Sequence, residues 1–183
     1  MNKLGIIDRK RTVFALVDIQ KKTLNAIAEP QIVVSNSNKL VESSKILGIP
    51  LIISEQYPKG LGATSGLIAL PGGARPIEKV SFSCFGCSDF KESLKHLGKD
   101  TIVLFGVEAH ICILKTALDA LAEGYEVHVV ADAVSSRNLH DKALALERMR
   151  QSGVFIASTE MVLFQLMDVA GTEEFKAISR LVK

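Results

Sequence analysis

Three side chains of this sequence could together carry out nucleophilic chemistry. Asp18 follows the apolar segment TVFALV, Lys79 lies in a short predicted strand, and Cys112 lies in the first turn of the helix predicted after TIVLFGV. A thiol at a helix N-terminus meets unpaired backbone N–H groups and the positive end of the helix dipole, which stabilise a thiolate. A nearby lysine would increase the thiolate fraction, and a carboxylate within reach could remove and return the proton. Together, these residue types suffice for attack on a carbonyl group.

Each of the three residues also has a structural interpretation. Asp18 could bind backbone amides of the loop after its strand, and Lys79 could be an ordinary solvated lysine. Cys112 could be a packed thiol, a metal ligand or a nucleophile. The predicted helix carries an apolar stripe formed by Ile111, Leu114, Leu118 and Leu121. Cys112 lies about 100° from this stripe on a regular helix, so the sequence predicts that it need not face the core.

The elements that must position these residues alternate between strands and helices from residue 12 onward. The predicted strands cover residues 13–18, 50–54, 77–80, 101–107, 126–131 and 154–157. The predicted helices cover residues 31–47, 88–97, 111–123, 139–152, 160–167 and 173–181. This α/β pattern predicts one domain over residues 1–183, with a Rossmann-like, three-layer αβα architecture around a six-stranded, mostly parallel sheet. Ligands of such sheets bind beyond the carboxyl ends of the strands, where the three side chains are expected to converge.

The composition argues against several classes of protein. The 22 Lys and Arg residues nearly balance the 20 Asp and Glu residues, and no basic block is longer than RKR at residues 9–11, so no nucleic-acid partner is expected. The apolar segments are far shorter than the roughly 20 residues of a membrane span, and the first residues do not resemble a secretory signal. We therefore expect a cytoplasmic protein, without a membrane partner, whose three cysteines remain thiols.

One long segment, residues 54–76, lacks a regular pattern and is rich in Gly and Pro. Long loops within compact domains are often functional. Its glycines do not match GxGxxG, and GxxxxGK[ST] occurs nowhere in the chain, so no cofactor is expected. The side chains that could bind a small-molecule substrate in a pocket are Gln20, Gln56, Tyr57, Phe82, Phe85 and Arg137.

A zinc site is an alternative role for Cys112. Cys84 and Cys87 form a CxxC pair in SCFGC, and His110 together with Cys112 could complete four ligands. A single CxxC pair is weak support, and the spacing between His110 and Cys112 is short for a structural site. We therefore expect no metal, whereas the zinc alternative predicts about one metal ion per chain that is lost on Cys84→Ser.

Four segments carry a resemblance to a known family: ALVDIQ, PIEKVSFSCF, LFGVEAHICILKTALDAL and VHVVADAVSSR. They span nearly the whole chain and resemble the isochorismatase-like cysteine hydrolases, which include nicotinamidases and N-carbamoylsarcosine amidase. The segments SEQYPKGLG and ALERMRQSGVFIASTE are most similar to the isochorismatase domain-containing group. The resemblance implies the isochorismatase-like hydrolase fold, with Asp18 as general base, Lys79 as the electrostatic partner of the thiolate and Cys112 as nucleophile.

The same resemblance implies further features of the site. It implies a cis peptide bond between Val107 and Glu108, which would turn the Glu108 N–H group toward the Cys112 N–H group as an oxyanion hole. It also favours a substrate contact for Arg137. Finally, it implies a homo-oligomer, either a dimer or a larger assembly.

Two differences from the family pattern narrow the range of reactions that we expect. Metal-binding nicotinamidases have a histidine-rich motif after the second strand, whereas this chain has SEQYPKG there and no histidine before residue 96. Isochorismatases that cleave a vinyl ether typically lack the cysteine, so Cys112 indicates acyl chemistry. We therefore expect a cysteine hydrolase that acts on a small amide-like C–N bond through a thioester. The alternative is a non-enzymatic oligomeric scaffold or partner-binding protein of the same fold.

Overall fold

Six strands lie at the centre of the computed structural model, which describes residues 4–183. They are β1 Thr12–Val17, β2 Leu51–Gln56, β3 Ile77–Lys79, β4 Thr101–Val107, β5 Glu126–Ser135 and β6 Phe155–Ala157. β1 and β4 are buried along their whole length. Continuous burial on both faces is typical of the central strands of a parallel sheet covered by helices on both sides.

The strands form one sheet in the order β3-β2-β1-β4-β5-β6, and every neighbouring pair is parallel. β1 pairs with β4 from Thr12 opposite Thr101 to Val17 opposite Gly106. The chain moves outward in one direction from β1 to β3 and in the other from β4 to β6, so the strand order reverses between β1 and β4. The predicted six-stranded α/β fold is confirmed, and the crevice at this reversal is where a ligand is expected.

Helices cover both faces of the sheet. They are α1 Lys21–Leu24, α2 Pro30–Leu47, α3 Pro58–Leu61, α4 Ser88–Leu97, α5 Leu114–Ala122, α6 Leu139–Gln151, α7 Thr159–Gln165 and α8 Glu173–Val182. Alternate residues of β1 point to opposite faces: Phe14 and Leu16 share a core with α2, α7 and α8, whereas Val13, Ala15 and Val17 share one with α4, α5 and α6. Within residues 4–183, no helix has the length and apolar character needed to cross a membrane.

Most element boundaries agree with the sequence-based prediction to within two residues. The short helices α1 and α3 were not predicted, because four-residue helices leave no periodic pattern to detect. β5 was predicted to end at residue 131 but continues to Ser135, past an irregularity in its pairing with β4.

The segment that carries Cys112 is wound differently from a regular helix. Residues 109–113 form a π-helical turn in which the N–H group of Ile113 donates to the carbonyl oxygen of Glu108, and α5 itself begins at Leu114. A π-helical turn holds more residues than an α-helical turn, so it changes the angle at which preceding residues face the sheet. Such single turns are frequent at functional sites.

The predicted apolar stripe of this segment is not its buried face, and that prediction is wrong. The side chains of α5 buried against the sheet are small ones, Thr116, Ala117 and Ala120. The larger side chains of the predicted stripe, which are only half-buried, are Ile111, Leu114, Leu118 and Leu121. Small side chains let the helix approach the sheet closely. A prediction from the spacing of apolar residues selects the larger leucines instead, although they lie beside the contact.

A glycine lets β1 and β4 approach closely next to the reversal of strand order. A Cβ atom on Gly106 would lie 2.1 Å from the carbonyl oxygen of Val17, and the backbone of Gly106 has a φ of +123°. Both conditions require glycine. Since Asp18 follows Val17 directly, this close contact helps to fix the point at which Asp18 leaves the sheet.

Candidate active site

Asp18 lies at the carboxyl end of β1. Its φ of 54° is in the left-handed region, which Asp tolerates better than most residues. The N–H group of Gln20 and the hydroxyl of Thr23 both donate to the Asp18 carbonyl oxygen and close this turn. The side chain is only 1% exposed; its Oδ1 accepts from Ser54 Oγ at 2.8 Å and its Oδ2 from Lys79 Nζ at 2.7 Å. Asp18 is therefore a buried carboxylate with a donor on each oxygen.

Lys79 is the cationic partner of this carboxylate. It is the last residue of β3, and its side chain is also only 1% exposed. Besides Asp18, its Nζ lies 2.7 Å from Gln56 Oε1 and 3.2 and 3.3 Å from the carbonyl oxygens of Ser81 and Phe82. A buried ion pair is tolerated when its remaining hydrogen-bonding groups are also satisfied, and here fixed oxygen atoms surround the ammonium group.

Cys112 is a protonated thiol that faces this ion pair. It is buried and packs within the apolar cluster of the α4, α5 and α6 face. Burial raises the pKa of the Cys112 thiol, and the negative charge of Asp18 and a hydrogen bond to it raise that pKa further. The positive charge of Lys79 acts in the opposite direction but is outweighed. The thiol is therefore neutral at ordinary pH, and a carboxylate is placed to accept its proton.

Two expectations for Cys112 are corrected. The sequence predicted that it need not face the core, but the π-helical turn directs it inward, where it is 7% exposed. The helix N-terminus and Lys79 were expected to stabilise a thiolate, but burial and Asp18 favour the protonated form. The structure nevertheless brings Asp18, Lys79 and Cys112 together at the carboxyl edge of the sheet, as the strand-end argument predicts.

The turn that carries Cys112 also provides backbone N–H groups. The peptide bond between Val107 and Glu108 is cis, as the resemblance implies, and Glu108 directly precedes the π-helical turn. The first N–H groups of a helix have no acceptor within the helix, which makes them available to a bound oxygen atom. Glu108 Oε2 lies 3.0 Å from Arg137 Nε, and the side chain of Arg137 is 60% exposed.

Three of the six candidate substrate-binding side chains reach solvent. Tyr57 and Phe82 are 53% and 57% exposed, and Arg137 is exposed beside Glu108. Tyr57 also lines a cavity of about 450 Å³ that extends to Lys79. These side chains are therefore free to contact a small molecule at the edge of the site.

The other three candidates are occupied within the chain. Gln20 is buried; its Oε1 accepts from the N–H group of Gln56 at 2.9 Å, and its Nε2 donates to the Gln56 carbonyl oxygen at 3.1 Å. The Gln56 side chain holds Lys79, as described above. Phe85 is buried against two aromatic rings, at centroid distances of 5.5 and 5.9 Å. Gln20 and Gln56 thus support the site, whereas Phe85 belongs to the core.

Three of the four residues of the zinc alternative have separate hydrogen-bonding partners. Cys84 Sγ donates to Ser54 Oγ at 3.6 Å, Cys87 Sγ contacts a backbone carbonyl, and His110 Nδ1 lies 2.9 Å from a serine hydroxyl. Within residues 4–183, no group of three or more His, Cys, Asp or Glu side chains is placed to hold a metal ion. The zinc alternative is therefore not supported by the positions of these side chains.

Sequence analysis did not identify Ser54 as part of the site. Ser54 pairs with Val17 across the sheet, which places it next to Asp18. Its position in the sequence could have indicated a role, because Ser54 is the first polar residue of β2 after the apolar run LII. A polar residue in a buried strand needs a hydrogen-bonding partner, and here that partner is the carboxylate.

Comparisons with known proteins agree with this fold. Residues 12–161 match the family model of the isochorismatase domain. Isochorismatase domain-containing protein 2 of Danio rerio is 44% identical over 183 residues, which cover 100% of this chain and 92% of that protein. The structure of MAR1 ribonuclease from Caenorhabditis elegans superposes with a TM-score of 0.90 and 32% identity, over 96% of this chain and 91% of that chain.

A second similar solved structure is that of an octameric hydrolase. The YcaC gene product of Escherichia coli, an octameric hydrolase of unknown specificity, superposes with a TM-score of 0.83 and 27% identity. The superposition covers 87% of this chain and 81% of that chain. With a family model that matches most of its length and a relative that is 44% identical over all of it, this chain belongs to the isochorismatase family.

Proposed function

We propose that the protein is a cysteine hydrolase that cleaves a small amide-like C–N bond through a thioester on Cys112. The observation that carries the proposal is the buried Asp18–Lys79 ion pair beside a protonated Cys112 thiol. Membership of the isochorismatase family supports hydrolytic chemistry in general. The arrangement also matches what nucleophilic catalysis needs, namely a nucleophile next to a base that is itself held by a third group.

In the first half of the proposed reaction, the Cys112 sulfur forms a bond to the carbonyl carbon of the substrate. Its proton passes to Asp18 as the bond forms, because the neutral thiol is a weaker nucleophile than the thiolate. The carbonyl oxygen becomes an oxyanion, which the N–H groups of Glu108 and Cys112 bind. Asp18 then gives the proton to the leaving nitrogen, the C–N bond breaks, and an amine or ammonia departs from the thioester.

In the second half, water hydrolyses the thioester. Asp18 takes a proton from the water as its oxygen attacks the carbonyl carbon. The C–S bond then breaks, the carboxylic acid product leaves, and the proton returns to the Cys112 sulfur. Lys79 holds the Asp18 carboxylate in place throughout.

The exposed side chains at the edge of the site suggest how a substrate binds. Tyr57 and Phe82 offer apolar surface, and Arg137 offers a cation that already contacts Glu108. We therefore propose these three as substrate-binding residues, while Gln56 holds Lys79 and Gln20 holds the backbone of Gln56. The identity of the amide depends on the shape of a pocket in which one methylene changes binding by only about 1 to 3 kcal/mol.

A screen of small amides tests this proposal. Nicotinamide, carbamoyl compounds and simple aliphatic amides are incubated with the protein, and ammonia release is measured. We expect at least one amide to be hydrolysed by the wild type, with a loss of about 10³-fold or more in Cys112→Ala because the nucleophile is absent. Cys87→Ala, which removes a half-buried thiol away from Asp18, is the matched control and should retain activity.

Two other outcomes would replace the proposal. Hydrolysis that persists in Cys112→Ala would place the chemistry elsewhere. A complete lack of hydrolysis, together with equal and slow alkylation of Cys112 and Cys87, would favour the non-enzymatic scaffold.

A single-stranded RNA belongs in the screen because one structural neighbour is described as a ribonuclease, although a net charge of +2 gives little support for RNA binding.

Self-association and location belong to the same proposal. A structural neighbour is described as octameric, which supports a homo-oligomer here. The cytoplasmic location stays a prediction from the sequence, as does the absence of nucleic-acid and membrane partners.

A further inference from the structure

Ser54 contacts the Asp18 carboxylate on the side opposite Lys79. It is fully buried on β2, and its hydroxyl donates to Asp18 Oδ1 at 2.8 Å, while Lys79 Nζ donates to Oδ2 at 2.7 Å. Two donors on the two oxygens fix the plane of the carboxylate as well as its position.

Cys84 determines the direction in which the Ser54 hydroxyl donates. Cys84 is fully buried, and its Sγ lies 3.6 Å from Ser54 Oγ. Burial raises the pKa of Cys84 to about 11, so its thiol stays protonated and can donate a weak hydrogen bond to the hydroxyl oxygen. With Cys84 as donor on one side, the single hydrogen of the Ser54 hydroxyl is left for Asp18.

The backbone of Cys84 is also bound to the helix that follows the nucleophile. The backbone N–H group of Cys84 donates to Thr116 Oγ1 at 3.0 Å, and Thr116 lies on α5, one turn beyond Cys112. Ser54, Cys84 and Thr116 therefore form a buried chain of contacts between the carboxylate on β1 and the helix that follows the nucleophile. Buried polar networks that are fully satisfied rigidify the groups they connect.

We propose that Ser54 is a positioning residue, which holds the Asp18 carboxylate in the orientation that faces the Cys112 thiol. This inference rests on the proposed function, because it acts through Asp18 as the base for Cys112. Ser54 does not touch the reacting atoms, so its effect is on the efficiency of proton transfer. Its hydroxyl, and not its volume, is the feature that matters.

Threonine and valine at position 54 separate these two features, because they have nearly the same shape and only threonine keeps the hydroxyl. The measurements are kcat and KM at neutral pH for ammonia release from the amide that the wild type hydrolyses fastest. Asp18→Asn supplies the rate without the base.

We expect Ser54→Val to lower kcat by about tenfold, the value of one hydrogen bond to a charged group, because the carboxylate loses the donor that fixes its plane. KM should stay within about twofold of the wild type, because Ser54 does not touch the substrate. Ser54→Thr should keep kcat within about twofold of the wild type, because it keeps the hydroxyl.

Equal kcat values in Ser54→Val and Ser54→Thr would overturn the inference. If Asp18→Asn nevertheless lowers kcat, then the role of Ser54 fails and the proposed base stands. If Asp18→Asn keeps the wild-type kcat, then both the base and its positioning residue fall. Should the β-branched variants fold poorly by circular dichroism, the inference stands on Ser54→Ala reproducing the tenfold loss of kcat, and it falls if Ser54→Ala has the wild-type kcat.

Discussion

Asp18 and Lys79 are buried together with the neighbouring Cys112 thiol, whose own burial and whose closeness to Asp18 both raise its pKa. With a buried carboxylate beside it, Cys112 keeps its proton until a substrate carbonyl is attacked. The sequence predicted these three residues, because polar side chains at the carboxyl ends of parallel strands meet at one edge. It did not predict the protonated thiol or Ser54, because burial and contacts between distant strands decide both.

Removing one partner of the buried ion pair should cost far more stability than removing one partner of a surface pair. We expect Lys79→Met to lower the free energy of unfolding by about 3 to 5 kcal/mol, because it leaves Asp18 buried without a cation. Urea denaturation measures the loss, and the double variant with Asp18→Asn should recover part of it. Lys91→Met is the control, since its pair with Glu123 is partly exposed and should contribute at most about 1 kcal/mol. Equal losses in the two methionine variants would contradict the account.

The buried Cys84 thiol should make the protein less stable at alkaline pH. Its pKa of about 11 in the folded state lies above the value of about 8.5 expected for an unfolded cysteine, so only the unfolded state loses this proton between those values. Stability is therefore highest below about pH 8.5 and falls as the pH rises, and Cys84 accounts for about 2 kcal/mol of the loss at pH 10.

The change of the unfolding free energy between pH 7.5 and pH 10 measures this effect. It should be smaller in Cys84→Ala than in the wild type, whatever the cost of the cavity at either pH. Cys112, whose pKa is also raised, should still cause some loss in the variant. Parallel pH dependence in the two proteins would show that Cys84 ionises equally in both states.

Among the elements, β1, β4 and the turn before α5 place the reactive groups. β1 and β4 are apolar along their whole length, so their existence and pairing follow from the sequence pattern. The buried face of α5 does not follow from that pattern, because its small residues pack more closely against the sheet than the leucines beside them do. The π-helical turn at residues 109–113 also escapes prediction, since its hydrogen bonds depend on how β4 enters the helix.

Gly106 provides a test of the close contact between β1 and β4. We expect Gly106→Ala to lower the free energy of unfolding by more than about 3 kcal/mol, because the added Cβ would lie 2.1 Å from the Val17 carbonyl oxygen. Gly124→Ala is the matched control: its φ is also positive, at +88°, but no atom lies within 4 Å of the added Cβ. It should cost about 1 kcal/mol from backbone strain alone. Equal midpoints of urea denaturation in the two variants would show that β1 and β4 can separate without cost.

On the scale of the whole molecule, the sheet divides the core into two halves with different tasks. The half shared by α4, α5 and α6 contains Cys112 and Cys84, whereas the half shared by α2, α7 and α8 contains neither thiol. The alternation of strands and helices predicted this layered architecture well, because parallel strands must be covered on both faces. Which half carries the reactive thiol depends on the winding of one turn and could not be predicted.

The predicted homo-oligomer can be tested on the intact protein. Light scattering after size-exclusion chromatography should give a mass of at least twice the 19.8 kDa of one chain. The octameric assembly described for a structural neighbour makes larger multiples equally acceptable. A mass of one chain across the accessible range of protein concentration would contradict the prediction.

The central claim is that the Cys112 sulfur attacks an amide carbonyl, and trapping the thioester tests it most directly. The protein is mixed with the amide that releases ammonia fastest, quenched in acid within the first turnovers, and digested for mass spectrometry. We expect an acyl group of the expected mass on the peptide that contains Cys112, and no such adduct in Cys112→Ala. Ammonia release at the wild-type rate in Cys112→Ala, without an adduct on any cysteine, would contradict it.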